Sequence, residues 1–421
     1  MHPAFSAPAR FSAPDLALVL AALCLGAGLT AALPAPSLAL AQTPAPAASQ
    51  TAPDAAAFRE DALSIQPLID AQYAYLDRFP GGVMPMTPEL RAEAGAVSDS
   101  RSLLRYAEHA LTALADHHAI TGRSFADDWA IVPTYGDLWI EVSGEAYIVT
   151  AVRAGSPAEA AGVRPGDRLT AVGDAPTAAA VVAFWSPLGL TAEGERAPYA
   201  ARVLAAGRRD RPRDLTFTGP SGGRRLTLPN LYVGAADRPP LDVRTEGGAL
   251  IVRFNDSLGQ DGTVAAFDAA MAAARPGQPV VIDLTDTPSG GNTVVARAVM
   301  GWFVSAPTGY QVHNLPSEER ETGVPRQWVE QVLPRPGKHH DGPVSVRVSR
   351  WTGSMGEGLA IGFDAIGAST GGARVTGGPM AGLRGAVSDL TLPRSGLVLK
   401  LPTERLYTVG GVPREAFVPP L

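Results

Sequence analysis

Apolar residues recur every three or four positions in the first part of the chain, which is the spacing of one helix face. The clearest such helix is predicted from Ser102 to about His118. Its apolar stripe consists of Leu104, Ala107, Leu111, Leu114 and His118. Ser100 or Ser102 can cap its first turn. Because the pattern breaks near Gly122, we predict a helical domain over residues 57–130.

Between residues 135 and 232 the pattern changes to short alternating runs, such as Tyr147–Val152, which predict strands. These runs flank residues 154–169. There a Gly-Ser-Pro-Ala sequence starts a short helix, Ala-Gly-Val ends it, and Pro-Gly-Asp turns into the next strand. We therefore predict a β-rich domain over residues 135–235.

From residue 241 onward strands and helices alternate, which predicts an α/β domain over residues 241–421. The main predicted strands are Ala249–Phe254, Val280–Leu284 and Val344–Val348, and the main predicted helices are Asn292–Phe303 and Met355–Ile366. A proline-rich stretch over residues 305–342 is long for a connection, so we expect a flap over a site. The predicted fold class is a multi-domain α/β protein.

The N-terminal residues have the pattern of an export signal. An uncharged apolar stretch, Leu16–Leu33, is followed by the small-residue sequence Ala39–Ala41. We predict a signal peptide over residues 1–41, a flexible linker rich in Ala and Pro over residues 42–56, and an exported, periplasmic protein. A retained membrane anchor is the alternative, because the apolar stretch approaches the roughly 20 residues needed to cross a bilayer. After cleavage no integral membrane segment is expected.

Composition narrows the possible functions. The chain has 421 residues, 46% of them hydrophobic, which predicts more than one well-packed domain. Its net charge is −6 and it has no dense basic run, so nucleic acid is not an expected partner. Its one cysteine, Cys24, lies in the predicted signal peptide. The mature chain therefore has no cysteine for a disulfide, a nucleophile or a thiolate metal site, and we expect neither metal nor cofactor.

The candidate catalytic residues lie where two predicted strands lead into helices. Gly290 and Gly291 would expose backbone N–H groups at a helix start, although Pro-Ser-Gly-Gly is also an ordinary turn. At the second junction Ser354 would have the Met355 N–H beside it as an oxyanion donor. The spacing from Ser354 to Glu357 equally fits a capping box. Both junctions lie at the carboxyl ends of strands, where α/β sheets bind ligands, and this favours the catalytic interpretation.

Residues 154–169 resemble the PDZ domains of bacterial proteases. Such domains accept a peptide as an added strand and hold its C-terminal carboxylate with loop N–H groups. The resemblance assigns that loop to Tyr135, Gly136, Asp137 and Leu138, and the helix lining the groove to Ala200–Ala206. A spacer that binds nothing is the alternative.

The whole mature chain resembles the C-terminal-processing (tail-specific) serine peptidases and their tricorn-core branch. The motifs that carry the resemblance are Asp-Leu-x-x-x-Pro-x-Gly-Gly from Asp283, Gly-Ser-x-x-Glu from Gly353, Gly411–Glu415, and Val418-Pro419. The resemblance implies a crotonase/ClpP-like core with Ser354 as nucleophile. It also implies an oxyanion hole made by Gly290 or Gly291 together with Met355.

Serine needs a base, and the family offers two. One branch uses a lysine about 25 residues after the serine, but the matching stretch here contains Arg384, which stays protonated. Lys338 and Lys400 lie elsewhere in the pattern. The other branch uses a histidine at the end of the N-terminal helical segment, and His118 aligns with it. The alternative for His118 is a core histidine that continues the apolar stripe.

A third group should orient the base. The tricorn branch has a glutamate near the position of Thr408, so this chain departs from the pattern. Glu404, Asp116 or a backbone carbonyl remain as candidates, and Glu357 is interpreted as a structural partner within its own helix.

The predicted function is an exported serine endopeptidase that cleaves polypeptides at Ser354 and captures chains or C-termini through the PDZ-like domain. One alternative is a catalytically degenerate peptidase that acts as a peptide-binding scaffold, and another is a hydrolase of small acyl substrates. A distance within about 3.5 Å between Ser354 Oγ and a His118 ring nitrogen is the expected geometric signature of the catalytic interpretation.

Overall fold

The computed structural model describes residues 54–220, 222–232 and 238–421. The predicted signal peptide and nearly all of the predicted linker lie outside the described residues. The described residues belong to one unit, which extends from Ala52 to Leu421. In this part of the chain no helix is both long and apolar enough to cross a membrane.

The N-terminal segment begins with three helices, α1 (Ala55–Gln72), α2 (Pro88–Ala96) and α3 (Ser100–Thr112), and ends with a short strand, β1 (Ile120–Thr121). Asp99 caps α3 in a capping box with Ser102, so the prediction of a serine cap was wrong by one to three residues. The predicted continuation of this helix to His118 was also wrong. The chain leaves the helix after Thr112 and turns at Ala115, whose φ is +46°. His118 therefore lies on a turn that leads into β1.

The PDZ-like segment contains a twisted antiparallel sheet and three helices. Its elements are β2 (Leu138–Ser143), β3 (Ala146–Val152), α4 (Pro157–Ala160), β4 (Arg168–Val172), β5 (Ala175–Pro176), α5 (Thr177–Trp185), α6 (Arg196–Ala206), β6 (Arg213–Gly219) and β7 (Gly222–Leu228). The strand order is β2-β3-β4-β6-β7, with β5 paired to β4. Strand β2 is therefore an edge strand of this sheet, and α6 packs against it.

The C-terminal segment is the predicted α/β part of the molecule. Its elements are β8 (Leu241–Glu246), β9 (Ala249–Phe254), α7 (Gly262–Ala272), β10 (Val280–Asp283), α8 (Thr293–Met300), β11 (Thr308–Asn314), α9 (Pro316–Thr322), β12 (Gln327–Val332), β13 (Val344–Arg347), α10 (Met355–Thr370), β14 (Ala373–Thr376), β15 (Ala386–Thr391) and β16 (Val398–Tyr407). The core sheet has the order β14-β13-β10-β9-β8, in which only the β8–β9 pair is antiparallel. The fold is a multi-domain mixture of helices and sheets, as predicted.

A third sheet corrects the expectation of a flap over residues 305–342. Strands β11 and β12 form a hairpin in that stretch, and β11 pairs with the C-terminal strand β16. Strand β16 also pairs with β15 and with β1 of the N-terminal segment. The stretch is long because it contributes two paired strands and a helix, and these hold it in a sheet.

Buried side chains form two main hydrophobic clusters. One includes the N-terminal helices and the PDZ-like segment together, and the other fills the α/β segment between its sheet and helices. The domain limits predicted from the sequence remain predictions, but the first two segments pack around a shared core. This packing places the turn that carries His118 against the α/β segment.

Candidate active site

Ser354 lies between the carboxyl end of β13 and the start of α10. Its φ of +49° and ψ of −109° differ from the extended backbone of an ordinary N-cap residue. A non-glycine residue in such a conformation costs of the order of 1–3 kcal/mol, and strain of this kind is concentrated at functional sites. The backbone of Ser354 therefore favours a functional role over simple capping.

His118 meets Ser354 across the boundary between two segments. Its Nε2 lies 3.1 Å from Ser354 Oγ, within the distance predicted from the sequence. Its Nδ1 lies 2.6 Å from the backbone carbonyl oxygen of Arg384. A carbonyl only accepts hydrogen bonds, so Nδ1 carries the proton and donates it. Nε2 of the neutral ring is then left to accept the Ser354 hydroxyl proton.

The orienting group of His118 is thus the Arg384 carbonyl, one of the three candidates that the sequence left open. Among the described residues, Asp116 makes no hydrogen bond to the imidazole. Its carboxylate accepts the His118 backbone N–H at 2.9 Å and the Tyr73 hydroxyl at 2.7 Å, so it holds the turn in place. Glu404 pairs with His313 instead. Sequence reasoning could not single out Arg384, because a backbone carbonyl carries no residue-type signal.

The surroundings of His118 disfavour its charged form. Burial of the imidazole, with the nearby Arg414 guanidinium, lowers its pKa to about 4, although the hydrogen bond to Arg384 opposes the shift. A histidine with that pKa is neutral at pH 7. This agrees with the tautomer that the hydrogen bonds require, in which Nε2 is free to act as a base.

Gly290 and Met355 lie beside Ser354 and offer backbone N–H groups of the kind that an oxyanion hole requires. A Cβ atom at residue 290 would lie 2.6 Å from Ser354 Oγ and 3.9 Å from the Met355 nitrogen. Only glycine lets the chain approach the serine so closely. Among the hydrogen bonds between described residues, the N–H groups of Gly290 and Met355 have no acceptor. They are available to an oxyanion.

Gly291 has a different steric requirement. A Cβ atom at this position would collide with the Leu258 backbone, so its glycine is explained by close packing. Of the two glycines that the sequence proposed, Gly290 is therefore the one that lies against Ser354.

Glu357 reaches beyond its own helix. Its carboxylate accepts the N–H of Ser354 at 2.9 Å, of Gly382 at 2.8 Å and of Leu383 at 3.3 Å. The interpretation of Glu357 as a partner within α10 was therefore incomplete. Burial raises its pKa to about 7, against the effects of Arg414 and of these N–H groups.

The predicted carboxylate-binding loop, Tyr135–Leu138, has few free groups. The N–H of Tyr135 and of Gly136 donate to carbonyls within the same turn. Asp137 is buried and forms a bidentate ion pair with Arg213, at 2.6 and 2.9 Å. Leu138 is buried at the start of β2. The loop therefore uses two of its N–H groups internally, and the Gly136 carbonyl accepts the indole N–H of Trp351 at 2.7 Å.

A side chain of α6 occupies one backbone carbonyl of the edge strand β2. Arg202 of α6 donates from Nε to the carbonyl of Ile140 in β2 at 3.1 Å. An added peptide strand would need carbonyls of this kind at the sheet edge. No pattern in the sequence had singled out Arg202.

A large cavity lies beside the turn that carries His118. It encloses about 990 Å³ between α3, α5 and the stretch that follows His118. Its wall includes Ala119, the residue after His118, and also Tyr135, Trp129 and Phe184. Ser354 is not part of its lining. The lining is mainly apolar, as in sites that take side chains or small molecules.

Comparison with known proteins agrees with the fold described above. A PDZ-domain family model matches residues 148–180, inside the predicted PDZ-like segment. A search of curated proteins by sequence finds no match.

Several solved structures align with most of the chain. The photosystem II D1 C-terminal processing protease has a TM-score of 0.53 and 17% identity, covering 86% of this chain and 93% of its own. Mature CPAF complexed with lactacystin has a TM-score of 0.53 and 14% identity, covering 87% and 93%. Mature CPAF by itself has a TM-score of 0.51 and 14% identity, covering 86% and 91%. At these identities the likeness concerns the fold alone, which this chain shares with the D1 C-terminal processing protease and with CPAF.

Proposed function

We propose that this chain, which has the fold of the C-terminal-processing serine peptidases, is a serine endopeptidase. One observation carries the proposal: Ser354 Oγ lies 3.1 Å from a neutral His118 whose other ring nitrogen is held by a backbone carbonyl. A serine with a correctly oriented base at this distance is equipped for nucleophilic catalysis.

The geometry supports acyl transfer in two steps. His118 Nε2 takes the Ser354 proton as Oγ attacks the substrate carbonyl, and the N–H groups of Gly290 and Met355 stabilise the oxyanion that forms. The imidazolium then gives its proton to the leaving amine, which departs as the acyl-enzyme forms. In the second step water loses a proton to His118 and attacks the ester. Ser354 regains its proton and the new carboxyl end leaves.

The proposed substrates are polypeptide chains or protein C-termini. The PDZ-domain match at residues 148–180 supports capture by this segment. In the structure, capture by strand addition on β2 requires that Arg202 leave the Ile140 carbonyl. The cavity next to His118 offers a mainly apolar space for substrate side chains. The export signal pattern supports a periplasmic location.

A second candidate is a degenerate peptidase that binds chains without cleaving them. It is favoured by the low pKa of His118 and by the absence of a carboxylate on the imidazole of that residue. A base with a pKa of about 4 has little driving force for taking a serine proton at neutral pH. The two candidates differ in whether Ser354 reacts.

A fluorophosphonate probe and an unfolded protein substrate would test the proposal on the purified chain. We expect labelling of Ser354 and peptide hydrolysis. Ser354→Ala should abolish labelling and lower hydrolysis by about 10⁴-fold or more. His118→Ala should lower both rates by roughly 10²- to 10⁴-fold.

Ser369→Ala, at the far end of α10, and His339→Ala, on an exposed loop, are the matched controls and should retain wild-type rates. An unlabelled wild-type chain that still binds C-terminal peptides would instead establish the scaffold. Cleavage of esters without any cleavage of peptides would assign the chain to small acyl substrates.

A further inference from the structure

We infer that Glu357 is a positioning residue for His118, which it controls through the backbone of residues 382–384. The inference rests on the proposed function, because it assigns a role within the same catalytic group. In a serine triad a carboxylate holds the base directly. In this chain the carboxylate holds the loop whose carbonyl holds the base.

The hydrogen bonds form a continuous path. Glu357 accepts the N–H groups of Gly382 at 2.8 Å and Leu383 at 3.3 Å. The next residue is Arg384, whose carbonyl oxygen lies 2.6 Å from His118 Nδ1. A shift of the two N–H groups therefore moves the carbonyl that selects the tautomer of His118.

Arg414 binds carbonyl groups of the same loop. Its guanidinium donates to the carbonyls of Leu383 at 2.9 Å and Gly385 at 2.8 Å. Glu357 and Arg414 are both nearly inaccessible to solvent, with 0% and 3% exposure. A buried anion thus binds N–H groups, and a buried cation binds carbonyl groups, of the short backbone stretch that includes Arg384.

The same carboxylate also fixes the nucleophile. It accepts the Ser354 N–H at 2.9 Å, at the residue whose backbone is strained. Glu357 therefore connects the main chain of the nucleophile to the main chain that orients the base. A displacement of about 1 Å between such groups can lower a rate by roughly 100-fold.

Glu357→Gln tests this role. Glutamine keeps the shape of the side chain, but its amide group offers N–H to backbone N–H groups that need an acceptor. We expect kcat to fall by about 100-fold with little change in KM for a short ester substrate. In ¹⁵N-histidine NMR, His118 of the wild type should carry its proton on Nδ1, and the variant should lose this single tautomer.

Asp61→Asn is the matched control. Asp61 is also fully buried, and its carboxylate accepts two backbone N–H groups from a distant turn, those of Arg394 and Ser395. It lies outside the catalytic group. This variant should lose stability in urea unfolding as Glu357→Gln does, while its kcat and its His118 spectrum stay those of the wild type.

Each outcome has a defined meaning. Wild-type kcat and an unchanged His118 tautomer in folded Glu357→Gln would overturn the inference, and so would an Nε2–H tautomer in the wild type. An unlabelled wild-type chain contradicts the proposed function, whereas the NMR signal tests the inference without any activity.

If Glu357→Gln does not fold, Glu357→Asp keeps the charge but shortens the reach by one methylene. A wild-type kcat in that variant would also overturn the inference.

Discussion

At the scale of residues, the structure separates two roles that the sequence around Ser354 allowed equally. The capping-box contact that the sequence pattern predicts is present, because Glu357 accepts the Ser354 N–H. The hydroxyl, however, lies against His118, and the backbone of Ser354 has a positive φ that capping does not require. The capping box accounts for the position of the Glu357 carboxylate, whereas the contact with His118 and the positive φ account for the position of the Ser354 hydroxyl.

Two buried groups should make activity depend on pH in two steps. The pKa of Glu357 is raised to about 7 by burial, and that of His118 is lowered to about 4 by burial and by Arg414, which faces both groups. As pH falls, protonation of Glu357 should weaken its hold on the loop, and protonation of His118 should then remove the base. We expect kcat/KM to decline near pH 7 and again near pH 4. In Glu357→Gln only the lower step should remain.

Protonation of Glu357 and protonation of His118 change the free energy of unfolding in opposite directions. Stability measurements can therefore separate a loss of activity from unfolding. Glu357 binds a proton more readily in the folded chain, so its contribution to the free energy of unfolding rises as pH falls from about 7 to about 4.5. His118 binds a proton less readily when folded, so its contribution falls between about pH 6.5 and 4. Urea unfolding at each pH is the control. A single decline near pH 6.5 in both proteins would contradict the assignment.

At the scale of elements, the parallel strands and the glycine junctions were predictable. The predicted strand Ala249–Phe254 is confirmed as β9, and the helix predicted from Met355 is confirmed as α10. The end of α3 was not predictable, because the apolar stripe continues to Leu114, two residues after the helix ends at Thr112. Leu114 is buried by the packing of a turn, which periodicity cannot distinguish from a helix.

The contact between α6 and β2 predicts how strongly the PDZ-like segment binds peptides. Arg202→Ala frees the Ile140 carbonyl for an added strand. The affinity for a peptide with a free C-terminus should increase by about 1 kcal/mol, roughly fivefold in Kd. Fluorescence anisotropy with a labelled peptide, in the Ser354→Ala background, measures this change.

Arg225→Ala is the control, because Arg225 lies half-exposed on β7 at the other edge of the same sheet. Equal affinities in all three proteins would mean that peptides do not add to β2. The PDZ-like segment would then serve as a spacer.

At the scale of the whole molecule, one sheet connects the beginning and the end of the described chain. Strand β1, which follows His118, pairs with β16, and β16 pairs with β11. Within this sheet His313 lies between Glu404, at 2.7 Å, and Glu330, at 3.1 Å. Burial disfavours the charge of His313, but the two carboxylates outweigh it and raise its pKa to about 9.

His313 should therefore stabilise the fold most at lower pH. Its folded pKa lies above the unfolded value near 6.5, so its contribution is full below that value and is lost as pH rises through about 9. The difference in the free energy of unfolding between the wild type and His313→Gln should shrink from pH 6 to pH 10. Urea unfolding measures it. A difference that stays constant or grows over this pH range would refute the prediction.

The amino-acid sequence by itself determined the α/β class and the PDZ-like segment, because local periodicity and turn residues record both. Its resemblance to the C-terminal-processing peptidases pointed to Ser354, His118 and Met355, and it left Gly290 and Gly291 as alternatives. Only the tertiary structure decided the orienting group of His118. That group is the backbone carbonyl of Arg384, held in place by Glu357. Every residue has a carbonyl, so its position depends on how distant segments pack and leaves no trace in the order of side chains.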